Sequence, residues 1–165
     1  METRLRVLGH PVHPMLIVYP LGLLSMAVIF DLLYVATGNA DLATFSFWAL
    51  VAGLIGGLAA AVFGLIDWLG IPSGTRAKRI GAFHGVGNLV VVGLFTLSLL
   101  TRLGSAAYLP DVLPLVLGLA GAVIALVTAW LGGELVYRLR VGVDDDAGLD
   151  ASNSMSRGGV VDTEP

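Results

Sequence analysis

Four long apolar stretches constrain this chain more than any other feature. Only the first of them carries a charged residue, Asp31. A helix of about 20 apolar residues crosses roughly 30 Å of hydrocarbon, whereas a soluble four-helix core would need a polar stripe on each helix. The sequence therefore predicts an all-α integral membrane protein with four transmembrane helices, from the stretches Met15 to Ala36, Phe45 to Ile66, Ala82 to Thr101 and Val112 to Leu131.

Composition and connection lengths refine this prediction. Apolar residues make up 56% of the chain, charged residues 13%, and the mean hydropathy is +0.89. The connections between the stretches are short, which favours antiparallel neighbours. Small residues four positions apart, such as Gly53 and Gly57, indicate close helix packing. We expect an up-down-up-down four-helix bundle within residues 1–140, with helices at about 15–36, 45–68, 82–101 and 112–136.

Basic residues predict the orientation in the membrane. Seven of them flank the apolar stretches on one side, and Arg102 alone lies on the other. The positive-inside rule then places both termini in the cytoplasm, in a multi-pass protein of the inner (plasma) membrane. The first apolar stretch is too long for the core of a cleaved signal peptide, so we expect it to remain. The seven are Arg4, Arg6, Arg76, Lys78, Arg79, Arg138 and Arg140.

The last 25 residues differ from the rest. Residues 141–165 contain six acidic residues, one arginine and many small polar residues, a composition that cannot bury a core. We predict a disordered acidic cytoplasmic tail.

Polar residues that could do chemistry gather at the predicted cytoplasmic side. The chain has three histidines: His10 and His13 precede the first helix, and His84 begins the third with Asn88 one turn later. Asp67 ends the second helix on the same side. Ionisable groups beside a bilayer are costly, so this cluster is the main functional lead. Asp31 lies apart, near the outer end of the first helix.

The two leading histidines each precede a proline. A residue before proline is pushed into an extended conformation, and polyproline geometry returns positions i and i+3 to one face. His10 and His13 could thus point together toward His84. Structural interpretations compete with this one. The His-Pro pairs could only shape the start of the helix, and His84 could bond a carbonyl. Asp67 could pair with Arg76, Lys78 or Arg79, and Glu134 could pair with Arg138.

At these residues the chain resembles a bacterial membrane family, the domain of unknown function 2231. The resemblance spans roughly residues 8 to 135, and it rests on Gly9-His10-Pro11-x-His13-Pro14, Pro20 and Asp31 in the helix that follows, Gly64 with Asp67-Trp68, and His84 with Asn88. The family has no assigned activity. Relatives are sometimes fused to Rieske-type or cytochrome-like modules, which implies redox work at the membrane, here with a separate redox protein as partner.

Three functions follow as hypotheses. A haem b could take His84 and one of the leading histidines as axial ligands, with Asn88 beside them. A zinc, iron or copper ion could be held by His10, His13, His84 and Asp67, or Asp67 could orient a histidine from behind. The polar cluster could instead only fix helix packing in a scaffold without cofactor. Quinone binding stays open as a variant, and so does self-association of the chain.

Other classes find little support in the sequence. The absence of cysteine excludes disulfides, thiolate metal sites and iron–sulfur ligation within the chain. No phosphate loop, zincin motif or nucleophile–base pair is present, which leaves a hydrolase poorly supported and enzymatic activity undecided. The basic residues are explained by topology, so nucleic acid is not an expected partner.

Overall fold

The computed structural model describes residues 5–155, and it is all-helical apart from one short hairpin. Four helical segments are long and apolar enough to cross a membrane, which confirms the predicted four-helix fold. Strands β1 (Arg6–Val7) and β2 (His10–Pro11) pair antiparallel ahead of them. The helices are α1 (Val12–Leu16), which runs on into α2 (Val18–Thr37), then α3 (Ala40–Gly70), α4 (Arg76–Leu100) and α5 (Val112–Gly133).

Two connecting turns complete the chain. A single 3-10 turn, Ala106–Tyr108, precedes α5, and Tyr108 stacks on Phe47 with ring centroids 3.8 Å apart. After α5 the chain continues as a π-helical turn, Glu134–Arg138.

Polar caps make two helices longer than their apolar stretches. The Asn39 side chain accepts a hydrogen bond from the Asp41 amide at the start of α3, and Thr75 accepts one from Lys78 at the start of α4. Such caps satisfy amides that the first turn of a helix leaves free. Helix α4 therefore begins at Arg76 rather than near residue 82, and the basic residues of the central connection lie in its first turns.

Contacts at glycines show that neighbouring helices run antiparallel. Along α3, Gly53 faces Leu24 and Gly64 faces His13, so higher numbers on α3 meet lower numbers before and within α2. Helices α4 and α5 pair in the same sense, since Gly121 faces Phe95 and Gly132 faces His84. The core between the helices is formed by Leu24, Ala27, Ala49, Leu50, Leu54, Val91 and Phe95.

The bundle has two polar ends with an apolar core between them. At the end that contains His10, His13 and His84, called the histidine end, α1 begins, α3 ends, α4 begins and α5 ends. At the other end, called the ion-pair end because Asp31 and Arg102 pair there, α2 ends, α3 begins, α4 ends and α5 begins. Large apolar side chains on the outer faces are exposed, among them Ile55 and Leu126. Apolar outer faces of this kind suit contact with lipid tails.

The described part of the acidic tail, residues 141–155, has no helix or strand and lies at the histidine end. Asp144 forms an ion pair with Arg6, and the Ser154 hydroxyl donates a hydrogen bond to the Leu8 carbonyl at 3.3 Å. The predicted disorder of residues 156–165 concerns a segment outside the described residues.

Candidate functional site at the histidine end

His13 joins α1 to α3. Its Nδ1 lies 2.8 Å from the carbonyl oxygen of Ala60, and since a carbonyl only accepts, Nδ1 carries the proton. The ring packs on Gly64, where a Cβ atom would come within 2.8 Å of Cε1. The predicted polyproline geometry is wrong for His13, because a helical turn already begins at Val12. The bond to Ala60 leaves Nε2 as the acceptor of the neutral ring.

His84 is held in a similar way between α4 and α5. Its Nδ1 donates to the carbonyl oxygen of Thr128 at 2.9 Å, and the ring packs against Gly132. Nε2 accepts a hydrogen bond from the Asn88 amide at 3.1 Å, and the same amide donates to the His84 carbonyl at 2.9 Å. The Thr128 hydroxyl in turn donates to the Asn88 side-chain oxygen at 3.1 Å. Asn88 thus takes part in a hydrogen bond between α4 and α5.

The structure separates His10 from the other two histidines. His10 lies exposed on strand β2, and its Nε2 is 3.4 Å from the Ser154 hydroxyl of the tail. His13 and His84 are partly buried and close enough to interact electrostatically. Strand pairing with Val7 turns His10 outward, which the His-Pro pattern alone does not reveal.

The predicted four-residue metal set is not assembled in the described part of the chain. Within residues 5–155, no group of three or more His, Cys, Asp or Glu side chains could hold a metal ion. Asp67 is buried near the end of α3 and is engaged in a polar interaction, while His10 faces the tail. Two imidazoles, those of His13 and His84, remain as candidate ligands at this end of the bundle.

Other polar residues at this end fasten helices together. The prediction that Glu134 pairs with Arg138 is wrong, because its carboxylate instead accepts from Arg76 at 2.6 Å. The π-helical turn at Glu134 changes the helical spacing on which that prediction relied. Lys78 donates to the Trp68 carbonyl at 2.7 Å and lies 3.9 Å from the indole centroid, while the indole N–H donates to the Lys78 carbonyl. This reciprocal clamp ties α3 to α4 across their short connection.

The opposite end holds a second polar group that sequence reasoning missed. Arg102 is fully buried, and its guanidinium donates two parallel hydrogen bonds, of 2.7 and 2.5 Å, to the Asp31 carboxylate. Ser46 and Ser98 each lie 3.1 Å from a guanidinium nitrogen. Two sequence signals point to this pair: a lone acid inside an apolar stretch demands a cation, and Arg102 is the sole basic residue predicted at that end.

The family comparison agrees with the membrane-spanning fold. The family model described as a predicted membrane protein, the domain of unknown function 2231, matches residues 9–145. The chain belongs to this family. The match includes all four membrane-spanning helices of this family member, the three histidines and the Asp31–Arg102 pair. No curated protein and no solved structure matches the chain significantly.

Proposed function

We propose that this membrane protein binds haem b at its histidine end, with His13 and His84 as axial ligands, and that it serves electron transfer. One observation carries the proposal: both imidazoles donate Nδ1–H to a backbone carbonyl of the neighbouring helix. A bond of this kind fixes the tautomer and the ring orientation, and it directs Nε2 toward a metal.

The donor set favours haem over an ion held by the protein alone. A porphyrin supplies four ligands to iron itself, so two imidazoles are sufficient. A bare zinc, iron or copper site needs about three protein ligands or more, and residues 5–155 provide no such group. Haem would supply one-electron chemistry, which agrees with the redox setting implied by the family resemblance. The electron donor or acceptor would be a separate protein.

Asn88 decides whether His84 can serve as a ligand. In the structure its amide shares its two N–H groups between His84 Nε2 and the His84 carbonyl. If Nε2 bound iron, the amide would keep the carbonyl bond and lose one neutral hydrogen bond, a cost of about 1 kcal/mol. We therefore assign Asn88 as a positioning residue that orients the His84 ring and would release Nε2 to the cofactor.

The absorption spectrum of the purified protein tests this function. Protein purified without a histidine tag from cells supplied with iron should show a Soret band with sharp bands in the reduced state. His13→Ala and His84→Ala should each lose the low-spin spectrum and most of the bound haem, because each removes one axial ligand. His10→Ala is the matched control and should keep it, since His10 faces the tail. A colourless natural protein with no haem after extraction contradicts the proposal.

A second candidate function has its own supporting observation. Nδ1 of His13 and Nδ1 of His84 each donate to a carbonyl of a neighbouring helix, and Nε2 of His84 accepts from Asn88 on its own helix. Such bonds are sufficient for a packing role in a scaffold without cofactor. In that case His84→Gln, which keeps a donor and an acceptor, should leave the abundance and the unfolding temperature of the protein nearly unchanged, and no variant would alter a spectrum.

We further propose that the histidine end faces the cytoplasm. Exposed arginines cluster there, namely Arg76, Arg79, Arg138 and Arg140, whereas Arg102 at the other end is buried against Asp31. Because Arg102 is buried, that end has no exposed basic residue in the described chain. The difference in exposed basic residues between the two ends, on which the positive-inside rule depends, is therefore larger.

Labelling of single cysteines measures this orientation directly, because the chain has none of its own. Ser105→Cys at the ion-pair end should react with a membrane-impermeant maleimide in intact cells. Ser73→Cys at the histidine end should react only after the cells are opened. Both serines are exposed, so they form a matched pair. The reverse labelling order would contradict the proposed orientation.

A further inference from the structure

We infer that the transmembrane domain consists of two copies of one helical hairpin related by a quasi-two-fold axis, and that the Asp31–Arg102 pair on this axis makes the two unlike copies pair with each other. The first copy comprises α1, α2 and α3, and the second comprises α4 and α5. The inference stands on burial and contacts and does not depend on the proposed haem.

The first helices of the two copies match at a constant offset of 71 residues. Position 13 corresponds to 84, both histidine, and position 22 corresponds to 93, both glycines that face open space. All three buried residues of α2 fall on buried residues at or just beyond the end of α4. These pairs are Leu24 with Phe95, Ala27 with Ser98, and Asp31 with Arg102.

The second helices match at a constant offset of 68 residues. All four buried residues of α5 coincide with buried residues of α3, and the residue types differ in three of the four pairs. Identical residues recur as well, at 53 and 121, 58 and 126, and 64 and 132. The coincident buried pairs are Ser46 with Pro114, Leu50 with Gly118, Gly53 with Gly121, and Ala60 with Thr128.

The contacts within each hairpin repeat at the same offsets. Leu24 lies against Gly53, and Phe95 lies against Gly121. In the first copy, the histidine ring bonds the carbonyl of residue 60 and packs on Gly64. In the second copy, it bonds the carbonyl of residue 128 and packs on Gly132. Five matching positions in one geometry are hard to explain by hydrophobic patterning, which fixes the face of a helix but not such pairings.

The relation between the copies is a rotation. Equivalent helices α2 and α4 begin at the same end, so the axis runs along the helices. Asp31 and Arg102 are equivalent and in direct contact, and an isologous contact of this kind must straddle a two-fold axis. The remaining helix interfaces come in pairs as this axis requires, since α3 meets α4 at Gly57 and Val92 and α5 meets α2 at Gly118 and Val28, although these individual residues are not equivalent. Parallel repeats about such an axis are known in membrane proteins.

Opposite charges at equivalent positions have a consequence for assembly. If either hairpin paired with its own kind in another chain, Asp31 would face Asp31 or Arg102 would face Arg102 in a buried setting. Like charges brought together without water are strongly unfavourable. The ion pair therefore favours pairing between the two different hairpins and disfavours pairing of a hairpin with a second copy of itself.

The same axis makes His13 and His84 equivalent positions. Their equivalence as ligands deepens the proposed function and rests on it. A ligand between them would meet two imidazoles whose Nδ1 bonds and glycine contacts are alike, while only His84 has an asparagine at Nε2. This suits a planar metal complex with two equivalent faces. His13→Ala and His84→Ala should accordingly reduce haem content by similar factors.

Charge reversal in the full-length chain tests the repeat without any reference to haem. Asp31→Arg alone and Arg102→Asp alone should each lower the midpoint of thermal unfolding in detergent by about 10 °C or more, or prevent folding. The exchange of both, Asp31→Arg with Arg102→Asp, should recover at least half of that loss, because equivalent positions present side chains to each other in the same geometry. A double variant no more stable than the singles overturns the inference.

A core exchange provides a second test with a matched control. Leu24→Phe with Phe95→Leu swaps residues at equivalent positions and conserves volume, so its midpoint should stay within about 5 °C of the natural chain. Leu54→Phe with Phe95→Leu makes the same changes of residue type, but position 54 corresponds to Ala122, not to Phe95. The unfolding midpoint of that control should fall by at least twice as much as the midpoint of the Leu24 and Phe95 exchange. If the control is the better tolerated exchange, the proposed equivalence is wrong.

Discussion

Asp31→Leu is expected to cost about 3–5 kcal/mol of the free energy of unfolding, because it leaves the Arg102 guanidinium buried and unpaired. A guanidinium cannot lose its proton within a protein, so the charge cannot be relieved. Arg102→Met should cost less, since the stranded Asp31 carboxylate can take up a proton and become neutral. Thermal unfolding of the detergent-solubilised variants, followed by tryptophan fluorescence, measures this order.

The double variant Asp31→Leu with Arg102→Met is the control for this prediction. It removes both charges together and replaces them with side chains of comparable bulk, which is often neutral or even stabilising in buried ion pairs. We expect it to be more stable than either single variant. If the double variant is the least stable of the three, the attraction between Asp31 and Arg102 stabilises the fold by itself, and the prediction is wrong.

Gly87→Leu is expected to destabilise the bundle by about 2–4 kcal/mol, since overpacking and loss of a buried hydrogen bond act together. A Cβ at position 87 would come within 2.5 Å of the Thr128 methyl group. Threonine has few χ1 rotamers with which to avoid the clash, and moving it breaks its 3.1 Å bond to Asn88. The His84 network should loosen with it.

Gly85→Leu is the matched control, on the same helix two residues earlier. A Cβ there meets nothing within 4 Å, and leucine is the better helix former. We expect its unfolding midpoint to equal or exceed that of the natural chain. Chemical denaturation of both variants in one detergent makes the comparison, and an equal loss in the two would refute the packing argument at position 87.

The sequence predicted the spans well because span length and apolarity are local properties. Helix ends were less accurate, since the caps at Asn39 and Thr75 extend α3 and α4 into polar residues that the apolar stretches omit. The partner of Glu134 was wrong for a related reason. The spacing of four residues assumes regular α-helix, and the π-helical turn breaks that spacing at Glu134 itself.

The histidine cluster was predicted in part. Counting residues placed all three histidines at one end, and the structure brings His13 and His84 to similar environments there. The sequence alone could not place His10, because the pairing of strands β1 and β2 turns that side chain toward the tail. Such pairing depends on a turn at Leu8 and Gly9, both with positive φ, and the apolar pattern carries no information on it.

What the sequence determined by itself was the class of the protein: four apolar helices of sufficient length can satisfy their backbone hydrogen bonds only within themselves, so they must span a bilayer as helices. What the tertiary structure alone decided was which distant polar groups meet. Arg102 follows the last apolar residue of its helix and reads as part of a loop, yet packing turns it inward to Asp31, 71 positions earlier. The physical reason is that a buried charge is stable only beside its opposite, and the fold determines where that opposite lies.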